Sequence, residues 1–522
     1  MSRTTTILRK YSILIHRWMG VAFCVLFAVW FVSGIVMMYW YYPEVTAAGR
    51  LARSAPLDAS RINVSPEEAY GRLELTGSPS RVRINLLDGR PVYRFHYGAD
   101  QFVAYADDGE PFTEIPAGMA LRIASAWTGQ PSSAAKFRGA MTEEDQWTVN
   151  QSFRPLRPLM KYSWPNGEEA YVSQVTGEVV QHTTRGSRMG AYFGAIPHWL
   201  YFTPLRKERE LWGQVVIWSS GIGTIMTIFG IIVGIWLYSP SRKRYRFPDG
   251  ASSIPYAGQK RWHTMLGLIF GLFAFTWTLS GMLSMSPFAW LGGRAVPDLA
   301  AALRGAEWQP GPFSAEHPRD ALAKVASQLR VKELELAFFA GEPVYLATEA
   351  PQRSRIVPLG GTPQEDLDPG RVREVLAMAA QPHLLAEARV VRQYESYYID
   401  RDHGLPLPVL FARLDDPENS MYYVDLRTGR IAQSYGAGGR WNRWLYHGLH
   451  SMDLPWLYRH RPAWDIVVLT LMLGGTAICI TAVVIGWRRL RRKLAMRAAR
   501  AMYSSASSGP KELSSMPLGT ER

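Results

Sequence analysis

Cysteine is scarce in this chain: Cys24 and Cys479 are the only two among 522 residues. Both lie inside long apolar stretches, which excludes a disulfide framework and a cysteine-based metal cluster. The sequence also lacks C-x-x-C-H, H-E-x-x-H, Walker A and complete G-x-G-x-x-G patterns. These absences argue against a thioether-linked cofactor, a zinc-protease site and a nicotinamide or flavin domain. We therefore expect no peptidase activity, and any electrons used by the chain must come from another molecule.

Charged residues are missing from four long stretches, at 18–43, 211–241, 262–293 and 466–487. A helix needs about 20 apolar residues to cross the hydrocarbon of a bilayer, so each stretch is long enough. The sequence therefore predicts four transmembrane helices and the lipid bilayer as a partner. The first stretch is too long for the core of a signal peptide and is interpreted as a retained anchor.

Acidic residues are absent from residues 1–17, although the chain as a whole has a net charge of +14. Basic residues cluster beside the predicted spans, in 1–17, in the short link 242–261 and in 488–493. This arrangement follows the positive-inside rule and predicts a bacterial inner-membrane protein with both termini in the cytoplasm. A nucleic-acid partner is not expected, because its basic surface would lie on a folded domain. The tail from about Tyr503 is rich in Ser, Pro and Gly and is predicted to be largely disordered.

The sequence contains an internal duplication at two constant offsets. The segment from His16 to Gly20 matches His263 to Gly267 at an offset of 247, whereas the later matches, such as His198 with His450, have an offset of 252. Each half is predicted to be a helix, an outer domain and a second helix, with the halves related by an axis along the membrane normal.

The outer segments contain short alternating runs that predict strands, at 82–86, 91–96 and 169–173. Segments that begin at Ser65 and Ser314 predict helices with serine caps. The fold class is therefore a membrane protein with four transmembrane α-helices and two α+β periplasmic domains. The predicted organisation is 1–43 (N-terminus and first span), 44–210 (outer domain), 211–241 (span), 242–261 (cytoplasmic link), 262–293 (span), 294–465 (outer domain), 466–487 (span) and 488–522 (basic tail).

Two pairs of histidines recur at equivalent places, His16 with His263 and His198 with His450. On a helix, the residues 4, 14 and 18 positions after His16 share its face. Glycine on that face allows a flat macrocycle to approach the backbone, and imidazole is a familiar axial ligand of haem. The second glycine is about 27 Å along the helix, so one face can flank two haems. The residues on this face are Gly20, Trp30 and Gly34 in the first span and Gly267, Trp277 and Gly281 in the third.

The same residues have simpler interpretations, which the sequence leaves open. Glycine is common in membrane helices as a close-packing residue, and a histidine at the edge of a span is often an interfacial polar group. His447 lies one turn before His450, and its counterpart in the first half is Ala195. It is either an alternative ligand, an aid to substrate or proton access, or a histidine on a helix surface.

Four repeated motifs are characteristic: H-x-x-x-G in the spans, G-x-P-V-Y and Y-V-x-x-x-T-G in the strands, and a histidine 14 residues before the tryptophan of the returning span. With these motifs the chain resembles the PepSY-associated transmembrane family, also called iron-regulated membrane proteins, over nearly all of 10–495. Members of that family include ferric-siderophore reductases that carry two b-type haems.

The resemblance implies an oxidoreductase that moves electrons across the inner membrane to a ferric siderophore or another ferric chelate, with a quinol or a cytoplasmic reductase as electron donor. It implies that His16 and His263 bind an inner haem and that His198 and His450 bind an outer one. About 30 Å of hydrocarbon separates the two faces, so each haem has to be shared between the halves. The alternative function is a membrane-anchored PepSY module that binds or regulates a partner without redox activity.

Overall fold

The computed structural model describes residues 3–241, 244–248, 250–292, 296–401 and 404–507. Part of the predicted link, at Arg242 and Lys243, and the predicted tail beyond residue 507 lie outside the described residues. The helices are α1 (Arg3–Met37), α2 (Ala47–Arg53), α3 (Pro66–Arg72), α4 (Ala117–Thr128), α5 (Arg185–Phe193), α6 (Ala195–Trp199), α7 (Thr203–Lys207), α8 (Arg209–Leu237), α9 (Gly258–Leu283), α10 (Ala289–Gly292), α11 (Ala300–Arg304), α12 (Pro318–Val325), α13 (Pro369–Ala379), α14 (Ala437–Asn442), α15 (Pro455–Tyr458) and α16 (Ala463–Ser507).

The strands are short and consist mostly of β-branched, aromatic and aliphatic residues. They are β1 (Arg81–Leu87), β2 (Arg90–Tyr97), β3 (Asp100–Tyr105), β4 (Pro111–Phe112), β5 (Lys136–Met141), β6 (Leu159–Ser163), β7 (Glu169–Ser173), β8 (Val179–Thr183), β9 (Tyr245–Phe247), β10 (Gly250–Ser252), β11 (Glu333–Phe339), β12 (Glu342–Ala350), β13 (Arg353–Pro358), β14 (Leu385–Val391), β15 (Val409–Leu414), β16 (Met421–Asp425) and β17 (Ile431–Tyr435).

Four helices, α1, α8, α9 and α16, are long and apolar enough to cross a membrane. Because a helix pairs its own backbone groups, it can enter a region without water. The charge-free stretch that begins at Trp18 continues to Pro43, but α1 ends at Met37. There Arg401 donates a hydrogen bond of 3.2 Å to the carbonyl oxygen of Met37, and Gln181 donates one of 2.9 Å to that of Pro43. The end of the stretch is thus tied to the strands rather than continued as helix.

The contacts divide the described chain into two compact units. The helical unit comprises the described parts of 1–32, 219–279 and 467–522, and the sheet unit comprises those of 33–218 and 280–466. In the sheet unit, β5 to β8 form one four-stranded antiparallel sheet and β14 to β17 form another with the same consecutive order. Their registers shift at positions 171/172 and 423/424, which differ by 252 in number.

A seven-stranded sheet joins the two predicted outer segments, with the order β13-β12-β11-β1-β2-β3-β4. Its centre is the antiparallel pair β1–β11, in which Arg83 lies opposite Glu335. The buried core beside it includes Tyr93 and Tyr345. Tyr93 donates a 2.7 Å hydrogen bond to the carbonyl oxygen of Val64, and Tyr345 donates one of 2.6 Å to that of Glu316. Strands from 44–210 and 294–465 therefore share one core.

Candidate functional site

In the helical unit, the predicted partners His16 and His263 face one another from α1 and α9, with ring centroids 6.2 Å apart and planes at 33°. Nδ1 of His16 lies 3.0 Å from the carbonyl oxygen of Met226 in α8. Nδ1 of His263 lies 3.3 Å from the carbonyl oxygen of Ile478 and 3.1 Å from the hydroxyl of Thr481, both in α16. Because a carbonyl oxygen only accepts, Nδ1 carries the hydrogen in each ring, and Nε2 keeps a lone pair for a metal.

A glycine on α8 explains how the ring of His16 reaches a helix carbonyl. A Cβ added at Gly230 would lie 2.7 Å from Cε1 of His16, closer than real contacts allow. Gly230 is one turn beyond Met226, on the same helix face. The absent side chain therefore provides the space in which the imidazole approaches the backbone.

Gly20 and Gly267, one turn after the two histidines, border open space: an added Cβ would meet nothing within 4 Å at either position. Gly475 on α16 differs, since a Cβ there would lie 2.2 Å from the ring of Phe31. Gly475 is therefore a close-packing glycine of the kind found between membrane helices. No side chain fills the space beside Gly20 and Gly267 in this way. Of the other two predicted glycines, Gly34 is buried and Gly281 is half-buried.

In the sheet unit, His198 and His450 form the second predicted pair, with ring centroids 6.0 Å apart and planes at 68°. Nδ1 of His198 lies 3.2 Å from the hydroxyl of Ser33 in α1, and Nδ1 of His450 lies 3.0 Å from that of Ser280 in α9. Both serines are fully buried. A hydroxyl can both donate and accept, so these contacts orient the rings without by themselves fixing which nitrogen carries the hydrogen.

The spacing of 14 residues between histidine and tryptophan has a structural explanation. The indole N–H of Trp212 donates a 2.8 Å hydrogen bond to the carbonyl oxygen of Trp199, the residue after His198. Trp464 donates one of 3.2 Å to the carbonyl oxygen of Ser451, the residue after His450. The residues that follow, Leu200 and Met452, have φ of 54° and 52°, so the chain turns sharply after each histidine. Each tryptophan therefore fastens the turn that follows a histidine to the start of the returning helix.

His447 occupies a π-helical turn, Arg443–Gly448, and its ring contacts that of Tyr446 at 4.6 Å. Burial, opposed in part by Asp453, lowers the pKa of His447. The buried guanidinium of Arg443 holds the turn by pairing with Asp453 at 3.0 Å. The structure therefore brings the two histidines of each predicted pair together, and His447 belongs to neither pair.

The residues that hold the Nδ1 atoms were not identified as functional from the sequence. Ser33 and Ser280 do repeat at the offset of 247, so comparison of the two halves carries a signal for them. The carbonyl groups of Met226 and Ile478 carry none, because every residue has one. Thr481 is likewise distinguished only by its contact with His263.

Both pairs pass a geometric test for a shared iron. Two imidazoles on opposite sides of one metal, each bound through a nitrogen about 2 Å from the metal and about 1 Å from its ring centre, have centres about 6 Å apart. The observed separations are 6.2 Å and 6.0 Å. In His16 and His263 the hydrogen on Nδ1 leaves the lone pair of Nε2 for a metal. The ring separations of both pairs suit two imidazoles on one haem iron.

Comparison with protein families matches residues 13–344 to the family described as PepSY-associated TM region. The match includes His16, His198 and His263, as well as strands β1 to β11. Comparison with curated proteins gives no match.

Proposed function

The chain belongs to the PepSY-associated transmembrane family, and from this premise we propose that it carries electrons across a bacterial inner membrane through two b-type haems to a ferric complex outside. It is a multi-pass membrane protein, with four helices apolar enough to span a bilayer. The observation that carries the proposal is the pairing of four histidines in two facing sets, each with both Nδ1 atoms held by hydrogen bonds.

The chain's own residues have separate tasks in this proposal. Haem, when bound, supplies a one-electron couple between ferric and ferrous iron. His16 and His263 hold one haem, and His198 and His450 hold the other. The space beside Gly20 and Gly267 admits the flat edge of the first. The partners of the Nδ1 atoms keep each imidazole in place, as hydrogen-bond partners do for metal-bound histidines generally.

The proposed orientation places both termini and the 242–261 link in the cytoplasm, because the basic residues cluster there. We also propose that the two halves are copies of one unit. Equivalent hydrogen bonds in the two halves support this. Tyr93 bonds to Val64 in the first half, and the residues 252 positions later, Tyr345 and Glu316, bond in the same way. His16 and His263 then lie near the cytoplasmic face, and His198 and His450 near the periplasmic face.

The substrate in this proposal is a ferric siderophore or a related ferric chelate. One electron from a quinol or a cytoplasmic reductase passes through the chain and converts bound Fe³⁺ to Fe²⁺. Oxygen-rich chelators hold the larger, less charged ion less tightly, so reduction helps release the metal. The His198–His450 pair is the one that meets substrate, since it faces the compartment from which an iron complex arrives.

An absorbance spectrum of the purified, dithionite-reduced chain tests the proposal directly. We expect the α and β bands of a six-coordinate b-type haem and about two haems per protein. Stopped-flow mixing of the reduced chain with ferric chelates should then reoxidise it faster than free haem controls. A chain that binds no haem would contradict electron transfer and leave the PepSY binding module as its function.

A further inference from the structure

A cleft of about 720 Å³ lies in the sheet unit, and its lining residues include no histidine of the described chain. Its walls are four segments: 78–81, 300–308, 335–338 on β11, and the turn 428–431 between β16 and β17. A cleft of this volume is within the range of small-molecule sites in proteins. Its lining is mainly apolar, with charged groups at a few positions: Arg81, Arg304, Glu307, Glu335 and Arg430.

Two glycines fix the walls of the cleft. Gly429 has φ of 69°, and a Cβ there would lie 2.8 Å from the ring of Phe339, so the turn packs directly on the core. Gly305 has φ of 72°, and a Cβ there would lie 2.3 Å from the backbone nitrogen of Gly341. That nitrogen also donates a 2.7 Å hydrogen bond to the carbonyl oxygen of Arg304. The backbone of Arg304 is therefore anchored while its side chain remains exposed.

The charges around the cleft do not balance. Five guanidiniums, of Arg50, Arg81, Arg83, Arg94 and Arg430, form ion pairs with only three carboxylates, of Glu178, Glu333 and Glu335. Arg304 enters none of the ion pairs in the described part of the chain, and Glu307 is the other charged residue on its wall, 300–308. Burial, and then the neighbouring guanidiniums of Arg81 and Arg304, lower the pKa of Arg430 to about 10. The cleft itself is lined by three arginines, Arg81, Arg304 and Arg430, and two glutamates, Glu307 and Glu335, so one positive charge is in excess.

A smaller cavity, lined by residues 252 positions earlier in the chain, shows how the size and charge of the cleft differ from those of its counterpart. It has a volume of about 90 Å³ and is lined by β1 and the turn at Gly177. In it Glu178 is on the turn and pairs with Arg83 on the strand, whereas in the cleft Arg430 is on the turn and Glu335 on the strand. Larger side chains line the smaller cavity: Arg50 and Asn85 correspond by number to Ala302 and Ala337.

We propose that the cleft binds a small organic anion with two or more carboxylate groups, held by the guanidiniums of Arg304 and Arg430 with its carbon skeleton against the apolar wall. Guanidinium forks match carboxylate oxygens in geometry and charge, and two such groups with spare donors face the same space. The anion replaces the missing negative charge. This binding site goes beyond electron transfer and does not require haem.

Isothermal titration of the full chain in detergent, at low salt and neutral pH, tests the proposal with citrate as the probe. Ferric citrate in a second arm distinguishes a metal-loaded from a metal-free ligand, and triethyl citrate provides a neutral control of similar shape. We expect citrate, free or ferric, to bind once per chain and the ester not to bind. Equal affinity for the ester or for inorganic phosphate would overturn the proposal.

Three single substitutions sharpen the test. Arg304→Gln removes an exposed, unpaired cation and should weaken citrate binding about tenfold or more. Glu307→Gln removes a repelling carboxylate and should strengthen it severalfold, a gain that misfolding cannot imitate. Arg330→Gln, an exposed arginine outside the cleft, is the matched control and should change affinity less than twofold. Unchanged binding in Arg304→Gln, or an equal loss in Arg330→Gln, would refute the site.

Discussion

The two histidine pairs use the same ligand type in different surroundings. His16 and His263 have planes at 33° and Nδ1 atoms directed at helix carbonyls, whereas His198 and His450 have planes at 68° and Nδ1 atoms beside serine hydroxyls. A carbonyl is the stronger acceptor, and a strongly held Nδ1–H makes the other ring nitrogen a more basic ligand. A more basic ligand favours ferric iron.

Groups that hydrogen-bond to the ligands can therefore give two sites with identical ligands different reduction potentials. If both pairs hold haem, the His16–His263 haem should have the lower reduction potential, and electrons should pass downhill to the His198–His450 haem. The potential difference would then be set by groups that the repeated histidine motifs do not contain.

Removal of a ligand should have the largest effect. His263→Ala should lower haem per protein by about half, and His16→Ala should deplete the same haem, because both ligands serve one iron. The ferric low-spin EPR signal that remains should be the more anisotropic one, since its imidazole planes are closer to perpendicular. His450→Ala should leave the other signal.

His460→Ala, at an exposed histidine, is the control for the ligand substitutions and should keep both haems. If His16→Ala and His263→Ala depleted spectrally different haems, the pairing between the halves would be wrong even with two haems present.

Filling the open space beside the histidines should have the second-largest effect. Gly20→Leu should expel the His16–His263 haem while thermal unfolding of the apoprotein in detergent stays unchanged, because no atom lies within 4 Å of the new Cβ. Gly475→Leu is the matched variant in packed surroundings, since its Cβ would overlap Phe31, and it should destabilise the fold by about 1–3 kcal/mol. Retention of full haem content in Gly20→Leu would show that the space serves another purpose.

A smaller effect is expected from the groups at Nδ1. Ser280→Ala removes a neutral hydrogen-bond partner of His450, worth about 0.5–1.5 kcal/mol, and should shift the potential of only the His198–His450 haem. Thr481→Val should shift the other haem less, because His263 keeps the carbonyl of Ile478. A redox titration followed by absorbance measures both. Equal shifts of both haems in either variant would mean that the Nδ1 partners do not tune the sites separately.

The smallest effect should come from His447→Ala, which should retain both haems and both potentials. His447 packs against Tyr446, and the turn that contains it is held by Arg443 rather than by the histidine. Loss of the same haem as in His450→Ala would instead make His447 the ligand.

Much of the coarse organisation was predictable because its signals are local. The four apolar helices and the α+β character follow from hydrophobic length and alternation, and the structure confirms both. The family suggested by the motifs is also confirmed. The domain boundaries remain predictions. The seven-stranded sheet had no local signal, since the pairing of β1 with β11 depends on contacts between residues about 250 positions apart.

The sequence alone determined that the chain crosses a membrane and that four histidines recur in two sets, because apolar length and repeated residue types can be read without coordinates. Tertiary structure decided which histidines face each other, and which glycines border open space rather than a neighbouring ring. It also decided that helix carbonyls hold one pair and serines the other. The physical reason is that every residue carries a carbonyl and every glycine lacks a side chain, so only packing distinguishes the ones that matter.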